Sequence, residues 1–117
     1  MRSTVGSGPL ESAVQATIVE LARMCGWRVY HTFDSRKSEP GFPDIVLVRE
    51  RVVYAEIKRI GERPRPSQVD WLNALVGAGA EVYVWTIADI EDAKAVLLRR
   101  QPPISSHLVP DTDRGAA

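Results

Sequence analysis

Two short apolar runs separated by three charged residues constrain this chain more than any other feature. Ile45-Val46-Leu47-Val48 and Val52-Val53-Tyr54-Ala55 flank Arg49-Glu50-Arg51. β-Branched and aromatic side chains dominate both runs, and a charged triplet is a hairpin-length connection, so the pair reads as two antiparallel strands. The near-continuous apolar character implies burial on both sheet faces, with helices over each side. Charges sit only at the ends remote from the turn. Asp44 opens the first strand after Gly41-Phe42-Pro43, and Glu56-Ile57-Lys58 closes the second. Such charges are costly in a hydrophobic strand unless they are paired or bound to a metal.

Residues directly opposed in an antiparallel pair share a face, and the turn sets which residues are opposed. A three-residue turn centred on Glu50 places Asp44 opposite Glu56, with Cβ atoms roughly 4.5–5.5 Å apart. Lys58 then joins the same face two residues on. A turn centred between Glu50 and Arg51 would instead send the two acids to opposite faces. Everything about the site therefore depends on turn parity.

Around this hairpin the chain alternates helical and extended patterns. Leu10, Ala13, Val14, Ile18, Leu21, Ala22 and Cys25 recur at helical steps, predicting a helix from about Pro9 to Met24. Pro9 suits its first position and Gly26 its stop. Trp27 to Thr32 alternates as a strand, and Phe33 to Phe42 has the composition of a loop. Gly61 to Pro66 is a basic connection rich in proline. Ser67 reads as an N-cap with Asp70 at the third helical position, opening a helix that carries Val69, Leu72, Leu75 and Val76. Glu81 to Thr86 is a fourth strand. A last helix begins near Asp89 with Ala93, Val96 and Leu97 inward. The predicted order is α-β-β-β-α-β-α: an α/β fold with a mixed central sheet flanked by helices. Residues 1–100 form the expected domain, and 101–117 shift to a Pro- and Ser-containing composition expected of a flexible tail.

At 117 residues the chain suits one domain with a single core. No apolar run approaches the ~20 residues that cross a bilayer, so no membrane partner is expected. The start of the chain lacks a signal-peptide pattern. Cys25 is the only cysteine, which excludes an intrachain disulfide and a cysteine-based zinc site. These features fit a reducing intracellular compartment, the cytoplasm or, in a eukaryote, the nucleus. The formal net charge of zero argues against a general polyanion-coating protein. Basic residues nonetheless crowd the loops next to the acids: Arg36 and Lys37 before the first, and Arg59, Arg63 and Arg65 after the second.

Two close carboxylates repel, and one takes up a proton unless a cation neutralises them. Oxygen ligands of this kind suit Mg²⁺ or Mn²⁺ and a phosphodiester substrate. Lys58 could then orient a nucleophile or stabilise charge on phosphate. The same residues could equally form a structural Asp44–Lys58 or Glu56–Lys58 ion pair at a sheet end, a common arrangement contributing roughly 0.2–1 kcal/mol.

In these motifs the chain resembles the PD-(D/E)xK nuclease superfamily, with its restriction-endonuclease-like core. Pro43-Asp44 matches the first element and Glu56-Ile57-Lys58 the second. More narrowly it resembles a stand-alone VRR-NUC domain, the small virus-type replication-repair nuclease. The helix-one pattern Glu11-Ser12-Ala13-Val14-Gln15, then Gly41-Phe42-Pro43-Asp44, Glu56-Ile57-Lys58 and Ser67-Gln68 occur in the family's order over about residues 10 to 100. The resemblance implies a metal-dependent endonuclease hydrolysing DNA phosphodiesters. Asp44 and Glu56 would hold Mg²⁺ or Mn²⁺ with the Ile57 main-chain carbonyl as a further ligand. Lys58 would assist the attacking water, and Gln68 would support the site. It also implies a homodimer working in DNA repair on branched substrates such as the four-way Holliday junction. Alternatives are a non-catalytic DNA-binding or scaffold module on the same fold, or a nuclease acting on flaps, single strands or RNA.

Two acids compete for the helix-one position. Glu11 and Glu20 lie on opposite sides of the helix, so only one can face the site. The apolar face lies slightly nearer Glu11, and the family match to Glu11 and Gln15 selects it as a catalytic residue and possible metal ligand. Arg36, Lys37, Arg59, Arg63 and Arg65 are the expected phosphate contacts. His31 reads as a half-buried strand histidine, and Trp27, Trp71 and Trp85 as core or sheet-covering residues rather than stacking platforms.

Overall fold

The computed structural model describes residues 6–31 and 39–101. The elements run α1 (Glu11–Met24), β1 (Arg28–His31), β2 (Ile45–Val48), β3 (Val52–Ile57), α2 (Pro66–Gly77), β4 (Glu81–Trp85) and α3 (Ile90–Leu98). This is the predicted α-β-β-β-α-β-α order. The four strands lie in the order β1-β2-β3-β4, the first three antiparallel and β4 parallel to β3. α2 is the crossover that a parallel pair requires.

The hairpin register is the one a turn centred on Glu50 demands. Ile45 lies opposite Ala55, Val46 opposite Tyr54, Leu47 opposite Val53 and Val48 opposite Val52. Extending it by one residue sets Asp44 against Glu56. Alternation then divides the side chains: Ile45, Leu47, Val53, Ala55 and Ile57 point to one face, where all are fully buried. α1 and α3 cover that face with Val14, Ile18, Val19, Ala22, Ala93 and Leu97, closing one core around Trp27 and Trp85.

Burial of both faces, as the apolar runs suggested, is only half realised. On the second face Val48, Val52 and Val84 remain exposed. A single short helix, α2, lies over β3 and β4 there, and one helix is too narrow to span four strands. For the same reason Val69 and Val76 of α2 are exposed, while Leu72 and Leu75 are half-buried; its one buried residue is Gln68.

The element ends also correct the sequence reading. α1 starts at Glu11 with Leu10 as its N-cap, leaving Pro9 outside, and Leu10 is 63% exposed rather than part of the inward face. Ala13 is likewise exposed. The helix stops as predicted. Gly26 has a φ of +90°, its N–H reaches the Arg23 carbonyl, and the Trp27 N–H reaches that of Ala22. That paired closure requires the left-handed conformation glycine tolerates. α2 begins two residues earlier than expected, with Arg65 as N-cap instead of Ser67. Pro66 takes the first helical position because its missing N–H costs nothing there. Gln68, not Asp70, becomes the third helical residue, and its Oε1 accepts from the Arg65 N–H at 2.7 Å. Thr32, most of the expected 33–42 loop and residues 102–117 fall outside the described residues. Among those described, no helix is long and apolar enough to cross a membrane.

Candidate active site

Asp44 and Glu56 end their strands on the face that α2 covers, and Lys58 follows two residues beyond Glu56. Glycine at position 41 brings the loop and helix together. Gly41 has a φ of +94°, and a Cβ there would overlap the Ser67 carbonyl at the first turn of α2. This close approach seats the Gly41-Phe42-Pro43-Asp44 segment against the helix that carries Gln68. Phe42 reinforces the contact with its ring edge-on to Trp71 at 5.1 Å and to Tyr54 at 6.1 Å.

The acids are held differently. Asp44 Oδ2 accepts from the Ile57 N–H at 2.8 Å. Glu56 is 1% exposed, and its Oε2 accepts from Gln68 Nε2 at 2.6 Å. Its other oxygen, Oε1, is buried with no hydrogen-bond partner among the described residues. Lys58 is 3% exposed, and its Nζ lies 3.6 Å from Glu56 Oε2 and 3.8 Å from Glu11 Oε2. Both distances exceed a good ammonium–carboxylate hydrogen bond. The ammonium therefore hovers between two carboxylates without saturating either.

Burial, and then the charge of Asp44, pushes the Glu56 carboxyl up to about 7, against which Lys58 pulls only partly. Burial also raises Asp44, opposed by the Ile57 N–H and the charges of Lys58 and Arg65. A buried carboxylate with one oxygen that no donor meets, beside a second acid, is electrostatically incomplete. Hard-cation chemistry fits that deficit, because a divalent ion would neutralise both acids and occupy the orphaned oxygen. Among the described residues no three His, Cys, Asp or Glu side chains gather closely enough to hold a metal ion by themselves. Asp44 and Glu56 are the side-chain oxygens that could hold a hard cation, which would need water or phosphate to complete its shell.

The structure brings Glu11, Asp44, Glu56, Lys58 and Gln68 to one place. Glu20 is exposed on the far side of α1, so of the two helix acids Glu11 faces the site. Glu62 also belongs to this neighbourhood and was not singled out in the sequence. Its Oε1 accepts from the Arg59 N–H at 3.1 Å. Its carboxyl also meets that of Glu11: burial, and then this contact, raises Glu11, while Glu11 and the Arg59 N–H hold Glu62 below the usual carboxylate range. The only signal in the sequence was an acid inside an otherwise basic connection. Among the expected phosphate contacts, Arg63 and Arg65 are exposed. The Arg59 guanidinium is engaged with the Gly8 carbonyl at 2.8 Å, beside the bridge between Ser7 and Ile60. Arg36 and Lys37 lie outside the described residues. His31 is half-buried, and Trp27 and Trp85 are core residues, while Trp71 is half-buried against Phe42.

No protein-family model matches the chain, and no curated protein does. Among solved structures, a chain called "VRR_NUC domain protein" superposes with a TM-score of 0.63 at 19% sequence identity. The match spans 78% of this chain and 87% of that one. What such a likeness establishes is architecture: this chain is built on the fold of that VRR_NUC domain protein.

Proposed function

We propose that this protein is a Mg²⁺- or Mn²⁺-dependent endonuclease that hydrolyses DNA phosphodiesters. The observation that carries the reading is Glu56, a buried carboxylate with one unpartnered oxygen, set beside Asp44 and Lys58 on a fold shared with a VRR_NUC domain protein. Asp44, Glu56 and the Ile57 carbonyl would hold the ion, with Glu11 as a further oxygen donor. Such an ion polarises a phosphate oxygen and lowers the pKa of water. The protein's own groups supply orientation and charge. The Ile57 N–H fixes the Asp44 carboxylate, and Gln68 fixes Glu56 from the first turn of α2. Lys58, poised between Glu56 and Glu11, orients the attacking water and offsets negative charge developing on phosphate. Arg63 and Arg65, joined by Arg36 and Lys37, hold the flanking phosphates without reading sequence.

The substrate in this reading is branched DNA, such as a four-way junction, cut by a homodimer. The test is a panel of junction, flap, duplex and single-stranded DNA, and RNA, incubated with Mg²⁺ or with chelator. Cleavage of branched DNA that needs the ion and is lost in Asp44→Ala, Glu56→Ala and Lys58→Ala is the expected result. Binding without cutting by the wild type would favour a scaffold module. Cutting that survives all three substitutions would reject this site.

A further inference from the structure

Among the described residues, no helix covers the sheet face bearing Asp44 and Glu56 over β1 and β2, and this strip leads directly to the acids. The register places Arg28 opposite Val48 and Tyr30 opposite Val46. Opposed residues share a face, so Arg28 and Tyr30 point to the same side as Val46, Tyr54 and the site acids. Tyr30 is 66% exposed and Arg28 is exposed beside it. No hydrogen bond or ring contact engages Tyr30 among the described residues. Its ring is a large apolar area that the core does not take up. Asp44 stands diagonally across from Tyr30, one pleat beyond Val46. Such neighbours are about 7–8 Å apart, on the scale of one nucleotide.

We propose that Tyr30, with Arg28 beside it, is a stacking platform for an unpaired nucleobase next to the bond that is cut. This deepens the nuclease reading and rests on it. A ring with an accessible face accepts any base, and an adjacent guanidinium meets the phosphate charge or adds a cation–π contact. The platform needs a base already out of the duplex stack. It therefore favours DNA with unpaired nucleotides, at a junction, flap or single strand, over blunt duplex. A second copy of this chain could also cover an apolar strip. The exposed cation at one end and the acids one nucleotide away at the other match an anionic strand better.

The experiment is fluorescence anisotropy in chelator, so that binding is read without cleavage. The probes are a single-stranded oligonucleotide, the same strand with abasic sites, and a blunt duplex. Tyr30→Ala should weaken binding of the intact strand by roughly 5- to 100-fold, and Tyr30→Phe should restore most of it. On the abasic strand Tyr30→Ala should have no further effect, which a merely structural residue would not produce. Arg28→Ala should lower the salt dependence of binding. Melting curves and light-scattering mass accompany each variant. Unchanged binding by Tyr30→Ala, equal losses on intact and abasic strands, or a changed oligomeric mass would each overturn the platform, the last by making the strip a subunit contact. A wild type that binds in this pattern yet never cleaves with Mg²⁺ defeats the nuclease reading alone. One that cleaves while Tyr30→Ala binds normally defeats the platform alone.

Discussion

The two ends of the β2–β3 hairpin use the same kinds of residue to opposite effect. At the turn, Arg51 pairs with Glu81 at 2.7 Å and with Glu50 at 2.7 Å, and Arg49 pairs with Glu50 at 2.6 Å. The guanidinium groups also reach the Cys25, Val96, Leu97 and Arg99 carbonyls, and both lie over the Trp27 ring. Arg49, and then the Gln101 N–H, hold the Glu50 carboxyl far below its usual range. Burial alone would raise Glu81, but Arg51, Tyr83 and Arg99 outweigh it. Every charge there is answered, and the C-terminal ends of α1 and α3 are satisfied at once. At the other end the ammonium of Lys58 stays beyond 3.5 Å from both of its acids, one Glu56 oxygen has no partner among the described residues, and Glu56 is raised to about 7. The difference teaches which end is structural. A network completed from within stabilises the fold, whereas one left short of positive charge costs stability and is suited to an external cation.

The comparison breaks most sharply at Glu56. Glu56→Gln keeps the shape and removes the charge. Cleavage should fall by on the order of 10²–10³ or more, while the metal-free protein becomes more stable at pH 8. The sign follows from linkage. A carboxyl raised from 4.5 to about 7 binds its proton more tightly when folded, so metal-free stability is full below about pH 4.5. It declines as pH rises through 7 and then levels off. Melting temperatures of wild type and Glu56→Gln should therefore diverge between pH 5 and pH 8, and Mg²⁺ should raise the wild-type value mainly at pH 8. A wild type equally stable at both pH values relative to the variant would remove the contrast.

At the saturated end, Arg51→Ala takes the donor from the Val96 carbonyl and one of two cations from Glu81, which keeps Arg99 and Tyr83. A loss of about 1–3 kcal/mol is expected in urea titrations, with Mg²⁺ affinity of the folded protein unchanged. Comparable loss of metal binding would show the two ends to be coupled. Gly41→Ala should cost about 1–3 kcal/mol through its left-handed backbone and the Ser67 overlap. It should lower activity as well, since Gln68 shifts with α2. The smallest effect belongs to Arg63→Ala, with stability unchanged and the slope of log binding constant against log salt reduced by about 1.

The element order was legible because strand and helix periods differ and the elements are short and well punctuated. The hairpin register was legible too, conditional on the turn, since a three-residue connection leaves few alternatives. Boundaries shifted where local chemistry competed, as when Pro66 displaced Ser67 from the start of α2. Glu62 escaped notice because its link to Glu11 joins residues about fifty positions apart, and no local pattern encodes such a meeting. The half-open second face was hidden for a related reason. Apolar alternation records which side chains can be buried, not how many helices arrive to bury them.

By itself the sequence determined the alternating secondary structure and the placement of Asp44, Glu56 and Lys58 at the mouth of one hairpin, because these follow from periodicity and turn length. Only the tertiary structure decided which helix acid reaches Lys58 and, among the described residues, that Gln68 takes one Glu56 oxygen and leaves the other unpartnered and that the face beside Tyr30 stays uncovered. Those outcomes depend on how helices dock across the sheet, and docking is set by contacts between residues far apart in the chain.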